Sequence, residues 1–487
     1  MAQRSLKVNW FYNTLLNVLK ILFPLITVPY ISRVLAPEGV GLFNFANTYV
    51  SWFAMLAALG IPTYGIREVA RVRDDVPALQ NLVNQLFSIT VYTTAGISLV
   101  YLGSILLIPK LSADLAIFLI IGFVLYLTPI STDWYWSGME DFRYITLRSL
   151  IIKTVCTACL FIFVKTRSDL LIYVIIMVLN GVANNVWNFA RMHRSGIRPR
   201  LVRDGLRQHM RPVMILFASS VAISVYTLLD TVMLGFMKAY DEVAYYTNAA
   251  NISKMIVSVV TSLAAVTMPR VASCLEGGDR EAVGRIAGKS LSFTVFLVFP
   301  AAVGLCCLAR QFVPLFYGPM FMGTILPLQI LSFLIVSIGL SNLVGMQMLV
   351  GMGHDRRYLQ AIIAGAVLNF VGNCLIIPRL GATGAAISSI SAETLILTLM
   401  LWYVRRNTFL RLRAGSDTLK SLAGALLLVP LGMLMSRVLH GWTFVLLYMA
   451  AGVILYALAE LVLHHSAIGV IIGGVRESLI KNGFIRE

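Results

Sequence analysis

Charged side chains are scarce in this chain of 487 residues, where Asp, Glu, Lys and Arg together make up 13%. In a soluble domain these charged residues make up about a quarter of the sequence. Hydrophobic residues make up 58% of the sequence, and no polar stretch is long enough to fold as a separate soluble domain. The scarcity of charge therefore excludes a soluble globular protein and indicates a chain that lies almost entirely in a membrane.

Motifs for catalysis, metal binding and nucleotide binding are also missing. No pair among the six histidines has a spacing suited to zinc, and there is no nucleophile–base set, phosphate-binding loop or dinucleotide fingerprint. Cys156 and Cys159 have redox-motif spacing, but their apolar surroundings and the lack of a second ligand pair favour plain buried thiols. We therefore expect no enzyme, no metal, no cofactor and no ATP-driven pump.

Acidic residues number 22 against 39 Lys and Arg, which gives a net charge of +17. No basic stretch has the aromatic interleaving of a nucleic-acid module, so we expect no nucleic-acid partner. In a membrane protein, Lys and Arg accumulate in cytoplasmic loops. The excess of positive charge is therefore information about orientation in the bilayer.

Apolar segments long enough to cross a bilayer recur along the whole chain. Each crossing needs about 20 residues, and in hydrocarbon such runs are helical. The predicted segments are 13–34, 40–62, 83–107, 114–136, 145–164, 170–190, 213–236, 245–267, 290–309, 324–347, 358–377, 382–403, 418–438 and 442–464. The sequence thus predicts an all-α integral membrane protein with about 14 transmembrane helices.

The distribution of Lys and Arg orients these helices. With a cytoplasmic N-terminus, and with residues near span ends counted in the adjoining segment, 28 of the 39 fall in cytoplasmic segments and eight in outer segments, while Lys20, Lys153 and Lys254 remain inside spans. One helix more or fewer early in the chain would destroy this asymmetry. The count therefore predicts that both termini are cytoplasmic.

A weak internal repeat divides the chain. Residues 36–41 align with residues 239–244 at a shift of about 203, and residues 138–144 resemble residues 351–358 at a shift of about 213. The repeat unit is six helices, so the halves are parallel repeats that can enclose a central cavity. We expect two pseudo-symmetric six-helix lobes followed by two C-terminal helices. The predicted boundaries are 1–205, 206–415 and 416–487.

Two stretches carry a family resemblance. Residues 24–41 read PLITVPYISRVLAPEGVG, and residues 226–235 read YTLLDTVMLG. They resemble the first-helix and seventh-helix signatures of Wzx-type polysaccharide flippases, in the multidrug/oligosaccharidyl-lipid/polysaccharide (MOP) exporter superfamily. Ala36 and Val40 stand where that pattern has a glycine and an aromatic residue.

The resemblance implies a two-lobed transporter that works by alternating access in a bacterial inner membrane. It implies as cargo an undecaprenyl-diphosphate-linked oligosaccharide, such as an O-antigen, capsule or exopolysaccharide repeat unit, moved from the cytoplasmic to the periplasmic leaflet. The partners to be considered are the lipid bilayer and a polymerase or export protein. The alternatives are a cation-coupled multidrug exporter of the same superfamily and a peptidoglycan lipid-precursor flippase.

Candidate substrate-binding residues are the cations within or beside spans. A dehydrated diphosphate requires cationic partners, and a mid-span charge usually faces a cavity or a partner. Lys20 and Lys254 therefore become candidates to attract the diphosphate, although Lys20 could instead extend to the headgroups. Arg33 is either a residue at the outer mouth or an interface anchor.

Asparagines at helical spacing form a second set of candidates. Asn251 shares a helix face with Lys254 and Ser258, and similar stripes contain Asn47 and Asn184. Such side chains can bind sugar hydroxyls or simply join helices.

Two acids inside predicted spans, Asp230 and Glu393, are candidates for coupling to a proton or sodium gradient. An internal ion pair with a base such as Lys254 is the alternative. The two mid-span lysines argue against a transporter of organic cations, which would favour an acidic cavity.

Overall fold

The computed structural model describes residues 6–261, 279–408 and 415–469. In these ranges the chain is almost entirely helical and contains no strand. Seven of the described helices are long and apolar enough to cross a membrane, or nine if each of two bent pairs forms one span. The predicted all-α membrane fold is confirmed, while the count of 14 spans stays a prediction.

The helices follow one another with short connections. In the first half of the chain they are α1 (Leu6–Ala58), α2 (Ile61–Val72), α3 (Val76–Leu107), α4 (Pro109–Ser112), α5 (Leu115–Ile121), α6 (Phe123–Tyr126), α7 (Asp133–Gly138), α8 (Phe142–Phe163), α9 (Leu170–Arg194) and α10 (Arg207–Met237). The second half contains α11 (Tyr240–Thr261), α12 (Arg280–Phe316), α13 (Ile325–Leu331), α14 (Leu334–Asn342), α15 (Asp355–Asn407), α16 (Gly415–Leu426), α17 (Leu428–Val438) and α18 (Gly441–Val462).

Two of these helices each contain a break that separates two predicted spans. Helix α1 breaks at Ala36, where φ is 58° and ψ is 172°. Pro37 follows directly; it has no N–H to continue the helix and disfavours helical backbone in the residue before it. Helix α15 breaks at Gly381, where φ is 54°, a conformation that glycine adopts without strain. Both breaks fall between spans that the sequence separates.

The described chain forms two compact units, Met1–Ala244 and Tyr245–Glu487. In the first unit, helix α1 packs against α3, α8 and α10, and a core that includes Ile61, Leu86 and Trp134 lies under α2 and α7. In the second unit, α12 packs against α16 and α18, around a core that includes Phe444 and Tyr448. The predicted lobe boundaries at residues 205 and 415 stay predictions.

The basic segment that follows α9 is bound to α3 by a row of polar side chains. Gln80, Asn84 and Ser88 recur every four residues and so share one face of α3. Their side-chain oxygens accept hydrogen bonds from the backbone N–H groups of residues 198, 200 and 202, at 2.9, 2.9 and 2.8 Å. These bonds hold residues 198–202 along α3 in the first unit.

The start of α10 is fixed by His209, which lies just before the span predicted over 213–236. Its Nδ1 lies 2.7 Å from the Tyr64 hydroxyl, and its Nε2 lies 2.8 Å from Oε1 of Gln85. Tyr64 can donate to Nδ1 while Nε2–H donates to Gln85, which requires a neutral ring. Burial lowers the pKa of His209, and the nearby charge of Glu68 opposes that shift only in part.

Candidate functional site

A buried arginine, Arg148, is the centre of a polar network in the first unit. Its side chain is 3% exposed. Nε donates to Oδ1 of Asn184 at 3.0 Å, Nη1 donates to Oδ1 of Asn188, and Nη2 donates to Oδ1 of Asp133 at 3.1 Å. The amide of Asn188 also donates to Oδ1 of Asp133 at 2.5 Å. One guanidinium thus joins α7, α8 and α9.

The local sequence explains why these groups meet. Asn184 and Asn188 are one helical turn apart on α9 and therefore share a face. Asp133 is the first residue of α7, and its side chain is 56% exposed. A buried cation is costly unless it is paired and hydrogen-bonded. The network satisfies the charge of Arg148 with one carboxylate and two amide oxygens.

Arg148 is the residue that the sequence analysis missed. It was not among the predicted site residues, yet it lies inside α8 with a buried side chain. The signal was present in the row of asparagines on α9, whose oxygens need donors when they are buried. Asn184 now has a known partner in Arg148, which agrees with its helix-joining interpretation; a role as a sugar ligand stays a prediction.

The polar stripe on α11 lies on an exposed face of the second unit. Asn251, Lys254 and Ser258 are all exposed, and the Ser258 hydroxyl donates to the carbonyl of Met255 at 2.7 Å. The structure therefore brings Lys254 and Asn251 together on one face, as their spacing predicts.

Three further candidates lie on α1. Arg33 is exposed, and its Nη1 donates to the carbonyl of Pro29 at 3.1 Å. Asn47 is exposed on the second half of the helix. Lys20 lies on the first half, but its side chain is outside the described part of the structure. Their roles as substrate ligands stay predictions.

The two candidate coupling acids are both buried, each at 4% exposure. Asp230 lies on α10 in the first unit, where it makes a polar interaction. Glu393 lies on α15 in the second unit, and within the described residues it has neither a hydrogen bond nor an ion pair. Within the described residues, no group of three His, Cys, Asp or Glu side chains could hold a metal ion.

The second unit buries further polar groups on α15, the helix that carries Glu393. Asn369, Asn373 and Ser388 are 1%, 0% and 2% exposed. The Asn373 amide donates to Oδ1 of Asn369 at 3.2 Å, whereas the Ser388 hydroxyl makes no hydrogen bond among the described residues. Buried polar atoms without partners are costly. These polar groups lie on the same helix as Glu393, on both sides of its break at Gly381.

Two family models match this chain over overlapping regions. The model described as "Polysaccharide biosynthesis protein" matches residues 6–274, and the model described as "Lipid II flippase MurJ" matches residues 149–453. A relative from Escherichia coli (strain K12), described as a "Putative O-antigen transporter", is 26% identical over an alignment of 422 residues that covers 83% of this chain and 98% of the relative.

Solved structures show the same fold. The lipid II flippase MurJ in an inward closed conformation matches with a TM-score of 0.71 at 13% identity, covering 94% of this chain and 99% of that one. An inward-facing multidrug resistance MATE family transporter of the MOP superfamily matches with a TM-score of 0.60 at 14% identity, covering 79% of this chain and 94% of that one. The helices therefore assemble in the manner of these membrane transporters.

Proposed function

Because the chain belongs to the polysaccharide biosynthesis protein family, whose model matches more than half of it, we propose that it is a flippase for an undecaprenyl-diphosphate-linked oligosaccharide. The family match confirms the resemblance predicted from residues 24–41 and 226–235, and the protein is a multi-pass membrane transporter. The proposed cargo is an O-antigen, capsule or exopolysaccharide repeat unit. Alternating access would carry it from the cytoplasmic to the periplasmic leaflet of a bacterial inner membrane.

The observation that carries this proposal is the exposed cationic face of α11. A charged side chain in a membrane-spanning helix faces protein or water, because contact with lipid tails is costly. Lys254 is exposed beside Asn251 and Ser258, so this face suits an aqueous cavity better than hydrocarbon. An ammonium attracts a diphosphate as a mobile point charge, and the neighbouring amide and hydroxyl can bind sugar hydroxyls.

The buried acids Glu393 and Asp230 are the candidates for coupling transport to an ion gradient. Glu393 is buried without an ion pair among the described residues. A carboxylate in such a place takes up a proton or a cation, because a lone buried charge is costly. We propose that Glu393, together with Asp230, couples transport to a proton or sodium gradient. If Asp230→Asn and Glu393→Gln each leave gradient-driven transport unchanged, neither acid is the coupling site.

Two related functions compete with this one. The "Lipid II flippase MurJ" model matches residues 149–453, which favours a peptidoglycan lipid precursor as the alternative cargo. A multidrug exporter has the support of the MATE-like fold alone, and its organic cations would be repelled by Lys254.

Depletion of the protein in its native bacterium distinguishes these cargoes. Lipid-linked intermediates would be extracted and their sugars identified. The proposal predicts that a completed repeat unit accumulates on the cytoplasmic leaflet. Accumulation of the peptidoglycan precursor would assign the chain to that cargo, and unchanged intermediates with raised dye sensitivity would assign it to drug export.

Replacement of Lys254 tests directly whether the cationic face of α11 binds the cargo. Lys254→Gln removes the charge and Lys254→Arg keeps it, so complementation of the depleted strain should fail with the first variant and persist in part with the second. Lys153, which lies 5.7 Å from the Phe23 ring centroid, provides the matched control as Lys153→Gln. Equal complementation by all three variants would contradict a role for Lys254 in cargo binding.

A further inference from the structure

A cleft of about 920 Å³ opens between α8 and α9 in the first unit. This basic cleft is lined by four arginines, Arg143, Arg148, Arg191 and Arg194, and by the apolar Leu147 and Ile151. The arginines lie near the first turns of α8 and the last turn of α9, which are adjacent ends of two antiparallel helices. Its volume is typical of a small-molecule or lipid-headgroup site.

The positive charge of the arginines in the basic cleft is only partly neutralised by acidic residues. Asp141 is the one acid in the lining, and its carboxylate lies 3.2 Å from Arg191. Asp133 already pairs with Arg148. Arg143 and Arg194 are exposed and form no ion pair within the described part of the chain. The N-terminus of α8 adds the positive end of a helix dipole. The cleft therefore attracts an anion.

The rest of the cleft is apolar and open. Leu147, Ile151, Val186 and Trp187 are 41%, 49%, 50% and 45% exposed. From Arg143 to Ile151 the helix rises about 12 Å, the scale from a phosphate to the upper acyl chains. Trp187 adds an indole of the kind enriched at membrane interfaces. The cleft thus presents cations at one end and an acyl-chain surface at the other.

The lining does not suit an oligosaccharide. Apart from the charged residues and Tyr144, every side chain that lines the basic cleft is apolar, so sugar hydroxyls would find few partners there. A soluble anion would leave the apolar walls in contact with water. Basic pockets between transmembrane helices on the cytoplasmic side are suited to anionic lipid headgroups.

We propose that the basic cleft binds an anionic glycerophospholipid of the surrounding bilayer, distinct from the transported cargo. Its phosphate lies between the guanidinium groups of Arg143 and Arg194, which can each donate two hydrogen bonds to it. Its acyl chains lie along Leu147, Ile151 and Val186. Such a lipid would stabilise the α8–α9 pair from the cytoplasmic leaflet.

Lipid binding to the purified full chain tests this proposal. The protein would be delipidated in neutral detergent and titrated with phosphatidylglycerol or with phosphatidylcholine of the same acyl chains, with bound lipid counted by native mass spectrometry. The test variant is Arg143→Gln with Arg194→Gln. The matched control is Arg203→Gln with Arg207→Gln, which removes the same charge from exposed arginines outside the cleft.

We expect one phosphatidylglycerol to bind in preference to phosphatidylcholine, and the test variant to bind it about thirtyfold more weakly, the effect of losing two such cations. The control should bind as the wild type does. Equal binding of the two lipids, or equal loss in the test variant and the control, would overturn the proposal. Displacement of the phospholipid by an equimolar polyprenyl diphosphate would also overturn it and assign the cleft to the cargo.

Discussion

Replacement of Arg148 should destabilise the first unit more than replacement of any exposed arginine nearby. Arg148→Ala leaves the amide oxygens of Asn184 and Asn188 without their charged donor, and each loss costs about 1–3 kcal/mol. The carboxylate of Asp133 is 56% exposed, so water can solvate it and its contribution is small. The expected loss of stability is therefore about 3 kcal/mol.

Thermal unfolding in detergent measures this loss. For a unit of this size, 1 kcal/mol corresponds to about 2–4 °C in Tm, so Arg148→Ala should lower Tm by roughly 6–12 °C. Arg148→Lys keeps the charge but cannot span three acceptors, and it should lie between the wild type and Arg148→Ala. The control Arg143→Ala changes an exposed arginine on the same helix. If Arg148→Ala and Arg143→Ala have the same Tm, the network does not stabilise the fold.

Three further predictions concern the first unit. Gly41→Ala should lower Tm strongly, because an added Cβ would lie 1.6 Å from the carbonyl oxygen of Tyr240. Gly96→Ala should be tolerated, because nothing lies within 4 Å of a Cβ added there. Equal Tm values for the two variants would contradict the close approach of Gly41 to Tyr240. Ala36→Val should cost about 1–3 kcal/mol, because a β-branched residue is strained at positive φ, while Ala36→Gly should fold normally; unfolding curves that rank them otherwise would refute the strain. Burial lowers the pKa of His209, so the imidazole binds a proton more weakly in the folded state than in the unfolded state. Stability should therefore fall as pH drops below about 6.5. If His209→Gln shows the same fall in Tm between about pH 7.5 and 5.5, His209 is not the source of the pH dependence.

Helical spans and their breaks were predictable because hydrocarbon permits few backbone conformations. The break at Ala36 illustrates this: the resemblance has a glycine there, and the backbone adopts the positive φ that glycine favours. The common face of Asn251, Lys254 and Ser258 on α11 was predictable for a similar reason, because residues three and seven apart share a face whatever surrounds the helix.

The network of Arg148 was not predictable by counting charges. Its partners come from α7 and α9, at sequence separations of 15, 36 and 40 residues. Orientation rules treat each arginine as a loop residue unless its pairing is known. The binding of residues 198–202 to α3 was hidden in the same way, because it joins backbone N–H groups to side chains more than 110 residues away.

Transport by the purified chain in vesicles tests the central claim most directly. Vesicles would contain the protein and a fluorescent polyprenyl-diphosphate oligosaccharide, and accessibility of the sugar to an external enzyme would report its leaflet. The account predicts movement between leaflets above that of protein-free vesicles, and its loss in Lys254→Gln. The account is contradicted if the labelled lipid changes leaflet no more than in protein-free vesicles while the same protein transports a cationic dye under the same ion gradient.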